Sequence, residues 1–268
     1  MLDLGASLGY FSLRLTEIFP RATCVAIDDD PRLLDGCIAN AAERVIHLRK
    51  RLSSADMDTL GSCEHFDVVL ALNVLHHFED WPRALNAVMH LGDHTFVETP
   101  ARTETAAHNG LAVEALYDSL EAHRPIQFAR VASHLGDWQR PFWYFDTTKT
   151  TLTRAYWDVP EDVPLGGITI TSTVTEKIVT FQRKNETREW YAGINLQTYL
   201  ALNGVWPSRE KLASLIETYP RPTPRHGDVQ SWNFVVDGQH VRLIDGQDDR
   251  AVFEDDFYRI GRIVRGIP

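Results

Sequence analysis

The run Leu2-Asp3-Leu4-Gly5-Ala6-Ser7-Leu8-Gly9-Tyr10-Phe11-Ser12 limits most sharply what this chain can become. Residues 1–4 read as the tail of a strand, 5–9 as a turn of small residues, and 10–18 as a helix by apolar spacing, with Pro20 as its stop. Such a strand, glycine turn and helix present backbone N–H groups and a helix N-terminus to a ligand. The next apolar run, 22–27, ends in Asp28, nineteen residues after Gly9. An acid at that place can accept both hydroxyls of a ribose, so the pair of features points to a nucleotide-bearing ligand.

The pattern continues as α/β. A second helix runs to about Arg44, and residues 66–72 (FDVVLAL) and 94–98 (HTFVE) read as buried strands. Strands separated by helices of this length imply right-handed crossovers and a parallel sheet with helices on both faces. Beyond Pro100, residues 103–123 read as helical and 141–156 as a final hairpin, while the proline- and glycine-rich 158–167 is the linker candidate. This predicts a domain over 1–157 and a smaller α+β region over 168–268. In the latter, 168–181 alternates like strands, and 194–203 and 209–219 read as helices.

Composition narrows the function classes. The net charge of −10 gives no basic footprint for a nucleic-acid backbone. The basic cluster His47–Arg51 reads as a solvated stretch. No apolar run reaches membrane-spanning length and no signal-type leader opens the chain. Three unevenly spaced cysteines (Cys24, Cys37, Cys63) fit reduced thiols and a cytoplasmic location, not a disulfide framework or zinc site.

DLGASLG, VAID and FDVVLALNVLHHFED resemble the successive motifs of class I S-adenosylmethionine-dependent methyltransferases. The resemblance implies a Rossmann-like sheet and S-adenosyl-L-methionine as cofactor. Carried over by position, Gly5, Ala6 and Gly9 form the turn, Asp3 supports it or the cofactor's amino group, and Asp28 holds the ribose. Asn73 and Val74, with Leu75, follow the fourth strand beside the cofactor, and Ser54, Ser53 or Asp56 supplies a polar contact to adenine. Ser7 stands where the family's middle glycine is usual. A nicotinamide dehydrogenase is the poorer match, because its turn is usually a tighter GxGxxG.

Methyl transfer to a hydroxyl needs an aligned acceptor and a proton sink. His76 and His77, just past the fourth strand, are candidate bases, and Glu98 at the end of the fifth competes with them. His108 and His134 are more distant candidates. Residues 66–144, through NVLHHF, HTFVETP and RPFWYF, also resemble the methyltransferase half of the bifunctional methyltransferase–kinases that terminate O-antigen chains. That implies a small-molecule acceptor such as a saccharide, glycoside or phosphorylated metabolite. A homo-oligomer is compatible with all of this.

A second signature, His226-Gly227-Asp228 through Asn233 and then Leu243-Ile244-Asp245, resembles the catalytic loop and metal segment of aminoglycoside-phosphotransferase-type kinases. It implies magnesium ligands at Asn233 and Asp245 and a hydroxyl-positioning Asp228, which itself joins the metal set if the segment binds magnesium. Only about sixty residues separate the linker from His226, too few for a full nucleotide lobe; Lys177 with Glu186 or Glu189 is the one candidate lysine–glutamate pair. The region is thus expected to be part of a kinase C-lobe, as a remnant or acceptor-side subdomain. Trp190-Tyr191 and Trp206-Pro207 wall an acceptor pocket or pack in a core. The rivals are a phosphotransferase and a cofactor-binding module without turnover. Asp3 stands nearly at the start of the chain; either the sequence extends upstream or later segments cover the pocket there.

Overall fold

The structure is a computed structural model. It describes residues 1–102, 104, 113–123, 125–132, 137–146, 181–183, 186–188, 192–220, 229–244 and 254–267. In chain order the elements begin β1 (Leu2–Leu4), α1 (Tyr10–Ile18), β2 (Cys24–Ile27), α2 (Arg32–Ala39), β3 (Val45–Leu48), α3 (Ser54–Cys63) and β4 (Phe66–Leu72). They continue with α4 (Trp81–Val88), β5 (Gly92–Glu98), α5 (Val113–Ala122), β6 (Ile126–Ala132), β7 (Gln139–Asp146), β8 (Phe181–Arg183) and β9 (Glu186–Arg188). The last are β10 (Ile194–Asn195), α6 (Leu196–Ala201), β11 (Gly204–Trp206), α7 (Arg209–Glu217), β12 (Phe234–Asp237), β13 (His240–Leu243) and α8 (Glu254–Arg265). By contacts the chain groups into two units, one of residues 1–7, 26–28 and 51–158, the other of 8–25, 29–50 and 159–268.

In the first unit the strands run in the order β2-β1-β4-β5-β7-β6. β1, β4 and β5 are mutually parallel, and β7 lies antiparallel between β5 and β6. β4 can be central because its sequence is almost wholly apolar, with Val69, Leu70 and Ala71 buried. The sheet can close onto β5 only with glycine at its start, since a Cβ on Gly92 would stand 2.7 Å from the Phe66 carbonyl oxygen. Ser53 caps α3 in a capping box with Asp56, and Asp80 caps α4, which carries Pro82 in its first turn. α4 then buries Trp81, Ala84, Leu85, Ala87 and Val88. The strand order jumps from β1 to β4, and such switch points are where parallel α/β sheets bind ligands. This is a Rossmann-like fold.

In the second unit β11 pairs antiparallel with β3. β10, β12 and β13 form a separate antiparallel sheet. α7 and α8 pack together, tied by Arg265 to Glu210 and Glu217, while Tyr219, Phe234 and Phe257 form an aromatic cluster.

Several expectations need correction. His47 and Leu48 are not a solvated stretch but fully buried residues of β3; a lone polar letter hid a strand. β7 pairs with β6, upstream of it, while residues 147–156 of the expected hairpin lie outside the described residues. The second helix ends at Ala39, and Ile194-Asn195 form a short strand ahead of α6. Residues 8–25 and 29–50 group with 159–268, and the change of unit at 158/159 falls at the linker expected over 158–167, which lies outside the described residues together with Lys177, Glu189, Trp190 and Tyr191.

Candidate functional site

The first unit brings the ends of β1, β2 and β4 together. Asp3 on β1 is buried, and the turn after it is held against β2: Gly5 N–H and Ala6 N–H both donate to the Ile27 carbonyl, at 2.9 and 3.2 Å. Ser7 N–H donates to Asp28 Oδ2 at 2.7 Å. These three N–H groups therefore brace the turn instead of facing a ligand. Gly5 and Ser7 take left-handed backbone angles, φ 70° and 51°. The glycine is required there, because a Cβ would come within 2.8 Å of Val74 Cγ2. Asp28 is half-buried, and a carboxylate with one oxygen on Ser7 keeps capacity for further donors.

Across the switch point, Asn73 leaves β4 in the left-handed region, φ 57°, with its N–H on the Glu98 carbonyl at 3.0 Å. Its side-chain Oδ1 is enclosed and has no hydrogen-bond partner among the described residues. An enclosed acceptor costs about 1–3 kcal/mol until a donor reaches it. The half-buried Asp28 carboxylate and this acceptor fit a cofactor that carries a ribose and an ammonium group. Gly9 lies in the second unit, where it starts α1 at φ 78° with Leu33 against its α-carbon. Ser54 Oγ donates to the Asp80 carbonyl at 3.0 Å, while Ser53 and Asp56 are engaged in capping α3.

His76 and His77 share a 3-10 turn, Leu75–His77, with rings 4.0 Å apart. His76 is buried and His77 exposed. Glu98 ends β5, where its Oε1 takes Arg140 Nη1 at 3.2 Å. Arg140, at the start of β7, is itself held by Glu104 through Nε–Oε2 at 2.9 Å and Nη2–Oε1 at 2.5 Å. Glu104, whose side chain is wholly buried, also accepts the Ala101 N–H at 3.1 Å. The two carboxylates, Glu104 foremost, raise Arg140 above the usual guanidinium range, so it stays charged. Sequence reasoning found Glu98 but missed Arg140 and Glu104; a lone arginine opening an aromatic strand was the available signal.

Asn233 is buried in a second-unit turn, with its carbonyl accepting Ile244 N–H at 2.7 Å. Asp228, Asp245, His108 and His134 lie outside the described residues. Among the described residues no group of three His, Cys, Asp or Glu side chains is placed to hold a metal, and no helix is long and apolar enough to cross a membrane.

Residues 2–92 match the family model described as a methyltransferase domain. No curated protein sequence matches the chain significantly. Among solved structures, the chain is similar to the bifunctional kinase-methyltransferase WbdD, at 17% identity over 100% of this chain and 84% of that one, with a TM-score of 0.45. It is also similar to the N-methyltransferase NodS from Bradyrhizobium japonicum, at 18% identity over 54% of this chain and 83% of that one, TM-score 0.39. A further similarity is to the N-terminal domain of EvdMO1, at 16% identity over 54% of this chain and 74% of that one, TM-score 0.41. The similarity over residues 2–92, on the sheet described above, is thus to a methyltransferase domain.

Proposed function

We propose that this chain transfers a methyl group to a hydroxyl of a small polar acceptor, a saccharide, glycoside or phosphorylated metabolite. The observation that carries the reading is the braced turn, in which Gly5, Ser7 and Asp28 set a close, polar floor at the switch point beside the enclosed oxygen of Asn73. S-adenosyl-L-methionine, when bound, supplies an electrophilic methyl group. Asp28 would hold the ribose hydroxyls, and Asn73 Oδ1 would take a donor from the ammonium end. Residue for residue, Asp3, Gly5, Ala6, Val74, Gly9 and Ser54 keep the cofactor-binding places that the family resemblance gives them.

On the acceptor side, His77 is the exposed member of the histidine pair and takes the hydroxyl proton, with buried His76 as its support. Glu98, paired with Arg140, accepts a hydrogen bond that orients the acceptor. The net charge of −10 supports an acceptor other than nucleic acid. Incubation with methyl-labelled cofactor and a panel of monosaccharides, methyl glycosides and sugar phosphates should give labelled ether product. His77→Ala should lower turnover by roughly 10²- to 10⁴-fold while leaving cofactor affinity unchanged. Tight cofactor binding without transfer to any member of the panel would favour a module without turnover. The phosphotransfer reading rests on Asp228 and Asp245, which lie outside the described residues.

A further inference from the structure

Glu98 is placed twice over at the carboxyl end of β5. Its backbone carbonyl accepts the Asn73 N–H at 3.0 Å, which pins it beside the end of β4. Across the ladder it faces Phe142 of β7, so it shares a face with Arg140, two residues along the same strand. Arg140 reaches it on the diagonal, with Nη1 donating to Oε1 at 3.2 Å. The other carboxylate oxygen, Oε2, takes no hydrogen bond among the described residues, and the side chain is 16% exposed. Half of the carboxylate is thus committed to Arg140, and half is available at the sheet edge where α/β folds of this kind bind ligands.

Arg140 is buried and held so that it does not turn away from Glu98. A guanidinium carries its N–H donors in one plane. Glu104 takes the Nε and Nη2 edge of that plane at 2.9 and 2.5 Å, and this fork leaves Nη1 aimed at Glu98. Glu104 is locked in turn: its Oε2 accepts the Ala101 N–H at 3.1 Å, and its own N–H donates to the Ala101 carbonyl at 2.9 Å. A buried ion pair loses in desolvation much of what it gains in attraction, so two apolar side chains of like volume would hold this segment to β7 as well. They could not hold a carboxylate in one orientation. Stability alone therefore does not account for the pair, whereas the placing of Glu98 does.

We propose that Arg140 and Glu104 are positioning residues for the methyl acceptor, together fixing Glu98 so that its Oε2 meets a hydroxyl of that acceptor. The proposal rests on the methyl-transfer reading. It is tested by steady-state kinetics of the full chain, with the monosaccharide, methyl glycoside or sugar phosphate that the parent methylates fastest, and by calorimetry with S-adenosylmethionine. Arg140→Lys keeps the charge and loses the fork. It should raise the acceptor KM by about tenfold, as expected for one hydrogen bond to a charged group, and leave cofactor affinity unchanged. Glu98→Ala should raise the acceptor KM at least as much, and adding Arg140→Lys to it should change nothing further, because no carboxylate is left to position. Glu104→Gln, which keeps the volume and breaks the fork, carries the same cycle should Arg140→Lys fail to fold. Losses that add in the Glu98→Ala background, or that fall equally on cofactor and acceptor, would overturn the positioning role and leave methyl transfer standing. A parent protein that methylates no member of the panel would remove the reading and the inference together.

Discussion

The Ser7 N–H and the Asp28 carboxylate, 21 residues apart, meet at 2.7 Å and fasten the turn after β1 to the end of β2. Asp28 therefore braces this turn in addition to the ribose-holding role proposed for it. Asp28→Ala removes both functions. A hydrogen bond to a charged acceptor is worth about 1.5–3 kcal/mol, so calorimetry should show S-adenosylmethionine affinity falling by roughly tenfold to a hundredfold or more. Asp28→Asn, which keeps an acceptor oxygen, should lose less. Equal affinity in Asp28→Ala and the parent protein would remove Asp28 from the site.

Gly5→Ala should destabilise the protein for two separable reasons. The left-handed backbone costs a non-glycine residue about 1–2 kcal/mol, and the new Cβ meets Val74. Urea unfolding should show that adding Val74→Ala relieves the second cost and not the first, so the double variant recovers only part of the loss.

Arg140→Met should be more damaging than its place near a sheet edge suggests. It removes the guanidinium that pairs with the wholly buried Glu104, a change that typically costs about 3–5 kcal/mol. Adding Glu104→Gln should restore much of the denaturation midpoint. Additive losses in the two variants would mean that the pair is not coupled.

Glu217 gives stability a defined dependence on acidity. Arg265, hydrogen-bonded to it, lowers its carboxyl below the ordinary value. A depressed folded-state value contributes stability that is complete above the unfolded-state value, about 4.3, and is lost as pH falls through the folded one. The urea midpoints of the parent and Arg265→Gln should thus differ at neutral pH and converge below pH 4. A constant difference across that range would refute the linkage.

Burial raises the Cys37 thiol to about 11, and Cys24 is buried as well. Neither should react with a thiol reagent at pH 8 until the protein opens, and labelling should accelerate with urea in step with unfolding. Rapid modification of either residue in the native protein would contradict its burial.

The strand, turn and helix at the start of the sequence were legible because their determinants are local. Gly5, Gly9 and Asp28 fall within 24 residues, and β4 is seven residues of nearly uninterrupted apolar sequence. β3 was missed because it is four residues long and contains His47, whose burial depends on neighbours far away in the chain. Arg140 and Glu104 form one group only after β7 folds back beside β5, and neither periodicity nor spacing encodes that return. The link from Thr23 to Asp237 spans 214 residues, beyond any window of pattern reading. It is such contacts that set the grouping of residues 8–25 and 29–50 with the C-terminal part.

The pairing of β11 with β3 has a consequence for the life of the chain before it is complete. β3 leaves the ribosome long before β11 exists, and until then its outer row of N–H and C=O groups is an open template for strand addition. The late segment acts as a stopper on that template. A chain cut short before residue 204 should accordingly misbehave by self-association, whether or not its cofactor turn has formed.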